Sequence, residues 1–422
     1  MAIMLSPLSG TSEVRNQFLE PLRAVYDQAT TIRKCPAESD WDGLTKGVDR
    51  VLSKVRSGRD FLQSFQMFWP RELQVGPYFE ALASERRLGM VAECSGLLRR
   101  RVDACRRSPL SQFESLDSFD LYAGDGHYLE HATHDPLIGE TRWPTGHFFA
   151  LNLKSQSLFP LMLADVTRRK KEHDMRALKR QSVALLRQGA GKGRKVLWVW
   201  DKAGVDFAFW QERKASGIYF LSLRKEGMCL EVETARVIDV TQPINQGVTA
   251  DRVVTDRRGL RVREITYCNP CDGAVYVYLT SQMTLEPGLL VLLYKTRWEI
   301  EKVFDETKTK LAEKKSWATT TTAKEMQAHF VALVHNLLLL LQDGHQQQGV
   351  ANTAELQRRQ KRQAVQETEL KKTGQTLPLI YTLLQRFTQA TFKLIRWLRA
   401  HWQQPTSLPQ ALLQLRSLYA RL

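Results

Sequence analysis

The strongest constraint on the fold is an alternation of strand-like and helical segments that begins near residue 116. Three short runs, FDLYAGD, HFFALNLKSQ and LFPLMLADV, have strand character and are typical of an antiparallel meander. A charged segment with helical character, Lys171 to Gln188, separates them from KVLWVWD, an apolar run that indicates a strand buried on both faces. A helix from Asp206 to Ala215 and the strand IYFLSLRK follow. This order predicts an α/β fold in which helices flank a mixed sheet.

Helical patterns lie on both sides of this alternation. Residues 11–108 place apolar residues at helical spacing, and a core helix is predicted at 323–342. DGHQQQG, which follows that helix, has the composition of a linker. We therefore expect three units: a helical region at 1–112, a central domain at 113–345 with a β-rich insertion at about 226–274 (ETARVIDV and RVREITY are its strand-like runs), and a basic helical C-terminal extension at 346–422.

The charge balance indicates a polyanionic partner. The net charge is +16, and residues 351–422 carry twelve Lys and Arg against three Asp and Glu, so 12 − 3 = +9 lies in the tail. Because ten Trp and eleven Tyr accompany this charge, nucleic acid is the expected partner. Arginines cluster in the N-terminal region, where they are either solvated helix faces or contacts to the DNA backbone: Arg86, Arg87, Arg99, Arg100, Arg101, Arg106 and Arg107.

The same sequence argues against a membrane protein. Its longest apolar run, Val331 to Leu341, is far shorter than the roughly 20 residues of a membrane-spanning helix. The N-terminus MAIMLSPLSGTSEV lacks a basic stretch followed by a long apolar one, so we expect no signal peptide. Six cysteines are too few for a disulfide scaffold in a chain of this length. A cytoplasmic protein is expected.

A stripe of four polar residues with the spacing Y-x2-R-x3-E-x6-K carries the clearest chemical information: Tyr294, Arg297, Glu301 and Lys308. At about 100° per residue, an ideal helix brings all four within roughly 60° of one another. Leu293, Ile300, Val303, Phe304 and Leu311 fall on the neighbouring arc, and Glu299, Lys302 and Glu306 fall on the far side. One carboxylate beside three phosphate-binding donors suits a helix that handles a metal-bound phosphodiester. The alternative is an ordinary surface ion pair between Arg297 and Glu301, worth only ~0.3 kcal/mol.

Two aspartates close predicted strands that precede this helix. Asp125 ends FDLYAGD and Asp201 ends KVLWVWD, and Glu301 comes from the later helix. In a ribonuclease H-like sheet, acidic residues at the ends of neighbouring strands meet one from a following helix. Two divalent cations about 3.5–4 Å apart can then cleave a phosphodiester, and three carboxylates can suffice to hold Mg²⁺. Any one of these aspartates could instead cap a turn, so the prediction depends on all three and on their order.

The triad and the helix spacing together resemble the DDE transposases of bacterial insertion sequences, specifically the YREK-motif, cut-and-paste group. The matching segments are AGDGHY, WVWDKAGVD and LYKTRWEIEKVFDETK, which contain the two aspartates and the whole four-residue stripe. The interval 301 − 201 = 100 residues fits the β-strand insertion that this group carries. The resemblance covers roughly residues 75–340.

This resemblance implies a ribonuclease H-like core in which Asp125, Asp201 and Glu301 bind two Mg²⁺ or Mn²⁺ ions. It also implies that Tyr294, Arg297 and Lys308 hold a phosphate of the DNA end. The expected activity is strand cleavage at the terminal inverted repeats of an insertion sequence, followed by strand transfer into target DNA. A homodimer in the synaptic complex, paired through the tail, and a bacterial, nucleoid-associated location are expected as well.

The β-rich insertion departs from the group in one respect. Members of the group can stack a flipped base on an aromatic side chain of the insertion, but residues 226–290 contain no Trp. Tyr267, Tyr276 or Tyr278 could take that place, or the base could be held otherwise.

Other functions remain open at this point. The protein could be a DNA-binding descendant of a transposase that no longer cuts, or a stand-alone nuclease with the same core. His127, His131 and His134 suggest a zinc hydrolase, but they form no HExxH arrangement, so we expect His127 to line the metal site or the DNA instead. Cys268 and Cys271 could be half a zinc site, but no second pair accompanies them, and a turn between two strands is the preferred interpretation.

Overall fold

A single mixed sheet forms the centre of the protein. The computed structural model describes residues 12–32, 39–55, 57–66, 74–165, 172–372, 374–388 and 390–421. Over those residues the sheet has nine strands in the order β3-β2-β1-β4-β5-β9-β8-β7-β6. The strands are β1 (Phe119–Leu129), β2 (Thr145–Asn152), β3 (Leu158–Leu163), β4 (Lys195–Val199), β5 (Ile218–Leu223), β6 (Glu231–Ala235), β7 (Val248–Thr255), β8 (Arg261–Cys268) and β9 (Val275–Thr280).

Strand directions confirm the predicted α/β class. β1 pairs with β2 antiparallel and with β4 parallel, and β4 pairs with β5 parallel. The apolar run of β4 lies between two parallel neighbours and is buried from Val196 onward, as a central strand requires. β9 joins β5 antiparallel, and β6, β7 and β8 extend the sheet beyond it. The arrangement is consistent with a ribonuclease H-like fold that carries a β-strand insertion.

Helices cover the sheet and extend to both ends of the chain. The N-terminal helices are α1 (Glu13–Tyr26), α2 (Asp40–Leu52), α3 (Gly58–Gln66), α4 (Val75–Leu82) and α5 (Glu85–Cys105). Those within the sheet region are α6 (Asp174–Lys179), α7 (Val183–Arg187), α8 (Phe207–Lys214), α9 (Pro287–Thr296), α10 (Trp298–Asp305) and α11 (Thr321–Gln347). The C-terminal helices are α12 (Thr353–Lys372), α13 (Leu379–Leu384), α14 (Phe392–His401) and α15 (Leu408–Ala420).

The long helix α11 connects the sheet to the N-terminal helices. Thr320 caps its start by accepting a hydrogen bond from the Ala323 amide. One side of α11 packs on β3, and other residues pack on α1, α2 and α5. A Cβ on Gly47 of α2 would lie 2.0 Å from the Phe330 ring, so only glycine permits this close approach. The apolar core around α11 includes residues of α1, α2, α5, α14 and α15, so both ends of the chain contribute to one core.

Arg399 of α14 joins three separate segments. Its Nε donates to the carbonyl oxygen of Leu52 at 2.6 Å, at the end of α2. Its two Nη atoms donate to the carbonyls of Lys310 and Leu311 at 2.9 and 3.1 Å, at the end of the segment that follows α10. A cationic donor suits these positions, because the last carbonyls of a helix lack partners within the helix.

Several elements differ from the sequence-based prediction. The charged segment 171–188 forms only the short helices α6 and α7, and Lys171 lies outside the described residues. DGHQQQG is not a linker, because α11 continues through Gln347. The strand expected at ETARVIDV ends at Ala235. The turn predicted at Cys268 and Cys271 is confirmed, since it joins β8 to β9. Within the described ranges, no helix is both long and apolar enough to cross a bilayer.

Candidate active site

Asp125 and Asp201 lie on neighbouring parallel strands. The register pairs Ala123 of β1 with Val199 of β4. Asp125 comes two residues after Ala123, and Asp201 comes two residues after Val199. Since adjacent strands run about 4.8 Å apart, the two side chains emerge at the same edge of the sheet. Asp201 follows the end of β4, as predicted, whereas β1 continues past Asp125 to Leu129. Asp125 is therefore held within a strand rather than at its end.

Gly124 and Trp200, which directly precede the two aspartates in sequence, pack closely against each other. Trp200 is buried and precedes Asp201. A Cβ on Gly124 would lie 2.3 Å from the Trp200 ring, so a larger residue would displace one of the two strands. Asp201 itself accepts a hydrogen bond from the Ala203 amide at 2.6 Å, and the Ser222 hydroxyl donates to its backbone carbonyl at 2.5 Å. These contacts fix the backbone positions of both aspartates.

The helix expected to carry the four-residue stripe is interrupted. α9 ends at Thr296, α10 begins at Trp298, and residues 306–310 form a π-helical turn. At Arg297 the backbone hydrogen bonds span three residues instead of the four of an α-helix. The Arg297 amide donates to the Tyr294 carbonyl, and the Ile300 amide donates to the Arg297 carbonyl. A uniform helix wheel therefore does not describe the segment. Glu299 and Glu306, predicted on the far side from the stripe, are both buried.

Arg297 connects two of the predicted catalytic carboxylates. Its Nη2 donates to Glu301 Oε1 at 2.7 Å, and its Nη1 lies 3.7 Å from Asp125 Oδ2. The guanidinium is mostly buried, with its side chain 10% exposed. Its Nε is buried and has no hydrogen-bond partner among the described residues. Arg297 forms the i,i+4 ion pair with Glu301 that the sequence offered as an alternative, but the guanidinium is mostly buried rather than on the surface.

The Asp125 carboxyl is partly buried and has charged neighbours of both signs. Burial raises its pKa to about 7, and the nearby negative charges of Asp174 and Glu301 act in the same direction. Burial likewise raises the pKa of Asp174 to about 6, with Asp201 adding to the shift. Asp174, at the start of α6, is therefore near enough to Asp125 and Asp201 for their charges to interact.

The remaining stripe residues surround this cluster. The Tyr294 ring lies 5.7 Å from the Arg297 guanidinium, and burial raises the pKa of its hydroxyl. Lys308, in the π-helical turn, is exposed. Its charge acts on His127, whose pKa is lowered chiefly by burial. The His127 ring packs against Phe304, with centroids 4.7 Å apart, so it lies beneath the site in an aromatic layer and does not line an open surface.

Comparison with known families decides the classification. A model of the transposase DDE domain matches residues 113–337, more than half of the 422 residues. The chain belongs to this family. The match covers β1 through most of α11, and with them both aspartates and the helix that bears Glu301. No curated protein sequence matches the chain.

Transposase domains of this family generally use divalent metal ions. Among the described residues, no three His, Cys, Asp or Glu side chains are close enough together to form a ready metal site. The Arg297 guanidinium lies between Asp125 and Glu301. The donor set nevertheless fits a hard cation, because carboxylate oxygens are its preferred ligands and a divalent charge would stabilise the ionised form of Asp125, whose pKa burial raises.

Two residues of the transposase domain were not found from sequence. Asp174 lies in a charged segment in which no spacing distinguishes it from its neighbours. Trp298, beside the mostly buried Arg297, is 55% exposed, which is unusual for so large an apolar side chain. Of the three tyrosines considered for base stacking, Tyr267 and Tyr278 are buried, and Tyr276 lies against the Lys295 ammonium at 4.9 Å.

Proposed function

We propose that this protein is a transposase that cuts DNA at the ends of an insertion sequence and joins those ends to target DNA. Asp125, Asp201 and Glu301 would hold two Mg²⁺ or Mn²⁺ ions, and Tyr294, Arg297 and Lys308 would bind a phosphate of the DNA end. Membership of the transposase DDE domain family supports the class of activity. The assignment of individual residues rests on geometry.

The observation that carries the proposal is the position of Arg297. A mostly buried guanidinium that reaches toward carboxylates from a strand and from a helix brings two distant parts of the sequence to one point. A purely structural ion pair would have its donors satisfied, yet the Arg297 Nε has no partner among the described residues. The arrangement suits a guanidinium that exchanges a carboxylate for a phosphate when DNA binds.

Divalent ions would supply the activation of the attacking oxygen and the stabilisation of the leaving oxygen. The protein's contribution is to hold the carboxylates and to orient the scissile phosphate. Asp125 is fixed by its strand and by the Gly126 amide, which donates to Oδ1 at 2.7 Å. Arg297 could bind two phosphate oxygens, and Lys308 could add a point charge from the exposed side. Asp174 would add a fourth negative charge near the bound ions.

Trp298 is the best-placed aromatic residue for contact with a DNA base. It is exposed and adjacent to Arg297, whereas the tyrosines of the insertion are buried or engaged. Every base offers a flat face for stacking, so such a contact would not depend on sequence. We assign the stacking role considered for the insertion to this helix instead.

The proposed partners are double-stranded DNA and a second copy of the protein. The N-terminal helical region, within residues 1–112, would contact the terminal inverted repeats, and the basic extension 346–422 would help to pair two protomers in the synaptic complex. Bacterial origin and a location at the nucleoid belong to the same proposal. A non-cutting DNA-binding descendant is disfavoured because it has no need to bury the Asp125 carboxyl near the like charges of Asp174 and Glu301.

A cleavage assay tests the proposal. Purified protein is incubated with Mg²⁺ and with DNA from the flanks of its own gene, where short inverted repeats are expected. We expect wild-type protein to cut at the repeat ends and Asp201→Asn to bind the same DNA without cutting. Asp206→Asn is the matched control, because Asp206 lies in the same loop but caps α8 through the Phe209 amide. Cleavage at random positions would favour a stand-alone nuclease, and equal cutting by Asp201→Asn would refute the assignment.

A further inference from the structure

A polar cavity lies beside the start of β1, away from the predicted catalytic carboxylates. Its volume is about 560 Å³, and its lining includes Asp120 at the start of β1. Asp125 comes five residues later on the same strand, a separation of roughly 17 Å at about 3.3 Å per residue. The cavity lies where the end of α5, the turn between β2 and β3, and the loop after α7 meet.

The lining of this cavity, hereafter the arginine pocket, is rich in cations. Two of its carboxylates are already engaged by protein donors. Asp103 accepts from Asn152 at 3.1 Å and from the Ser155 and Ser157 hydroxyls at 2.5 and 2.6 Å. Asp120 is bound by Arg194, with the closest contact at 2.6 Å. The cationic lining residues are Arg99, Arg100, Arg106, Arg107, Arg194 and Lys154, against Asp103, Asp117 and Asp120.

A buried donor in the arginine pocket lacks a partner. Arg106 is 9% exposed, and its Nε lies 2.8 Å from Asp343 Oδ2. Its Nη1 is buried and has no hydrogen-bond partner among the described residues. The Nε of Arg99 also lacks a hydrogen bond, but it lies 3.9 Å from Asp103 Oδ2, and Nη1 of the same residue donates to Gln188 at 2.8 Å. Buried guanidinium groups normally have their donors satisfied, so the Arg106 Nη1 donor indicates a place for an anion.

Two exposed arginines, Arg100 and Arg107, lie at the rim of the pocket, where their charges favour binding of an anion. Arg107 is exposed, and its Nη1 donates to the backbone carbonyls of Asp103 and Arg106 at 2.9 and 2.7 Å, which fixes its guanidinium at the rim. Arg100 is also exposed and lines the same cavity. Planar guanidinium groups match the oxygen pairs of a phosphate. The volume exceeds that of one phosphate group and leaves room for the sugar or the next phosphate of a larger ligand.

We infer that the arginine pocket binds a phosphate group, either from a DNA strand that passes the far end of the sheet or from a free phosphate compound such as a nucleotide. This role accounts for part of the N-terminal arginine cluster, which the carboxylate site does not involve. Binding here requires neither the carboxylates nor a divalent ion, so it stands independently of the proposed cleavage activity.

Calorimetric titration of the full chain with sodium pyrophosphate, in the presence of EDTA, tests the pocket. Chelation prevents metal-mediated binding at the carboxylates. We expect wild-type protein and Asp201→Asn to bind pyrophosphate, and the double variant Arg100→Gln/Arg107→Gln to bind it at least about 10-fold more weakly, since two charge-assisted bonds are removed. Arg358→Gln/Arg362→Gln is the matched control, because both residues are exposed on α12 and the charge change is the same. We expect this control to bind as wild type does.

Arg106→Gln is a second variant, which removes the buried donor that lacks a partner. It also breaks the ion pair with Asp343. If Arg106→Gln does not fold, the Arg100→Gln/Arg107→Gln variant still tests the pocket. Equal binding of pyrophosphate by wild type and by the rim variant, or no binding by wild type, would overturn the inference.

A titration with duplex DNA in EDTA distinguishes a DNA phosphate from a free phosphate compound. If DNA is the ligand, the rim variant lowers the slope of log K against log[salt] by about 0.9 for each phosphate that the protein no longer neutralises. An unchanged slope together with weakened pyrophosphate binding assigns the pocket to a small phosphate compound.

Discussion

Two mostly buried arginines in the same sheet region show how differently one residue type can be used. Arg263, on β8 of the insertion, is 1% exposed and binds Asp251 through two parallel bonds of 2.8 and 2.7 Å, with a third bond to the Leu285 carbonyl at 2.6 Å. Arg297 is similarly enclosed, but it is shared between Glu301 and Asp125, and its Nε has no partner among the described residues. We call the Arg263–Asp251 pair closed, because each donor described here has a partner within the protein. We call the Arg297 site open, because one buried donor has none among the described residues.

Burial alone therefore does not distinguish a structural charge from a functional one. A closed pair stabilises the fold only if its donors are satisfied, and Arg263 meets that condition. An open pair leaves donors and acceptors that a ligand can complete. Substitutions at the open pair should therefore reduce activity, whereas substitutions at the closed pair should reduce stability.

The largest effect is expected at the open site. Glu301→Gln keeps the side-chain shape but removes a charge that Arg297 and the proposed ions share. Loss of one member of a catalytic unit typically costs about 10⁴-fold or more in rate. DNA cleavage with Mg²⁺ should fall by that order while end binding is kept. Glu299→Gln is the control, since Glu299 is buried two residues earlier and pairs with Lys302 at 2.5 Å. Near wild-type cutting by Glu301→Gln would remove this residue from the site.

At the closed pair the expected loss is in stability. Asp251→Asn leaves the Arg263 charge buried without a carboxylate, which should lower the free energy of unfolding by about 3–5 kcal/mol. Cleavage by the remaining folded protein should be unchanged. Arg236→Gln removes the outer, partly exposed arginine that contacts Asp251 at 3.2 Å, and it should cost less than about 1 kcal/mol. Chemical denaturation of wild type and the two variants measures both values, and similar losses in the two variants would contradict the closed-pair description.

Glu313 extends the comparison to a carboxylate enclosed mainly by neutral donors. Trp317 Nε1 and Gln327 Nε2 each donate to it at 2.9 Å, and burial raises its pKa to about 7. The folded protein therefore keeps this proton between pH 4.5 and 7, where the unfolded chain has lost it, so stability falls as the pH rises through that window. The contribution is at most about 3 kcal/mol.

Glu313→Gln should remove this part of the pH dependence. Relative to wild type, the variant should become progressively more stable as the pH rises through the same window. Glu369→Gln, at an exposed residue of α12, should follow the wild-type curve. Denaturation midpoints at each pH measure the difference, and parallel curves for Glu313→Gln and wild type would contradict the raised pKa.

The smallest effect concerns Lys308. Because it is exposed in the π-helical turn, Lys308→Ala should change the free energy of unfolding by less than about 0.5 kcal/mol. If it positions a phosphate over the open site, cleavage should fall by about 10²-fold. Lys314→Ala, at another exposed lysine of the same segment, should cut normally. Normal cutting by both variants would leave Lys308 outside the phosphate contacts.

The sheet could be predicted well from the sequence because its signals are local. The apolar run of β4, the alternation along β1 and the turn at Cys268 are each set by residues within one element. Membership of a transposase family also followed from the order of acidic residues and the helix spacing, and the family match supports it. The assignment of each stripe residue to a role stays a prediction.

What the sequence did not reveal depends on distant partners. Glu306 was placed opposite the buried arc, yet it is buried because His335, 29 residues later, contacts it at 2.9 Å. A wheel assumes a uniform helix, and the interruption at Arg297 and the π-helical turn invalidate that assumption. The charge of Asp174, on α6, acts on Asp125 of β1, 49 residues earlier in the chain, and no local pattern encodes that proximity.

The three bonds of Arg399 bear on how the protein is synthesised. The apolar core shared by α1, α2, α5 and α11 also contains residues of α14 and α15, and Arg399 connects the end of α2 to the segment after α10. During translation, these last helices leave the ribosome after every partner they complete. The nascent chain therefore carries an unfinished core until α14 and α15 have been synthesised, a state in which exposed apolar surface favours aggregation and chaperone binding. A premature stop codon just before α14 would thus yield a misfolded protein rather than an active transposase that merely lacks a pairing segment.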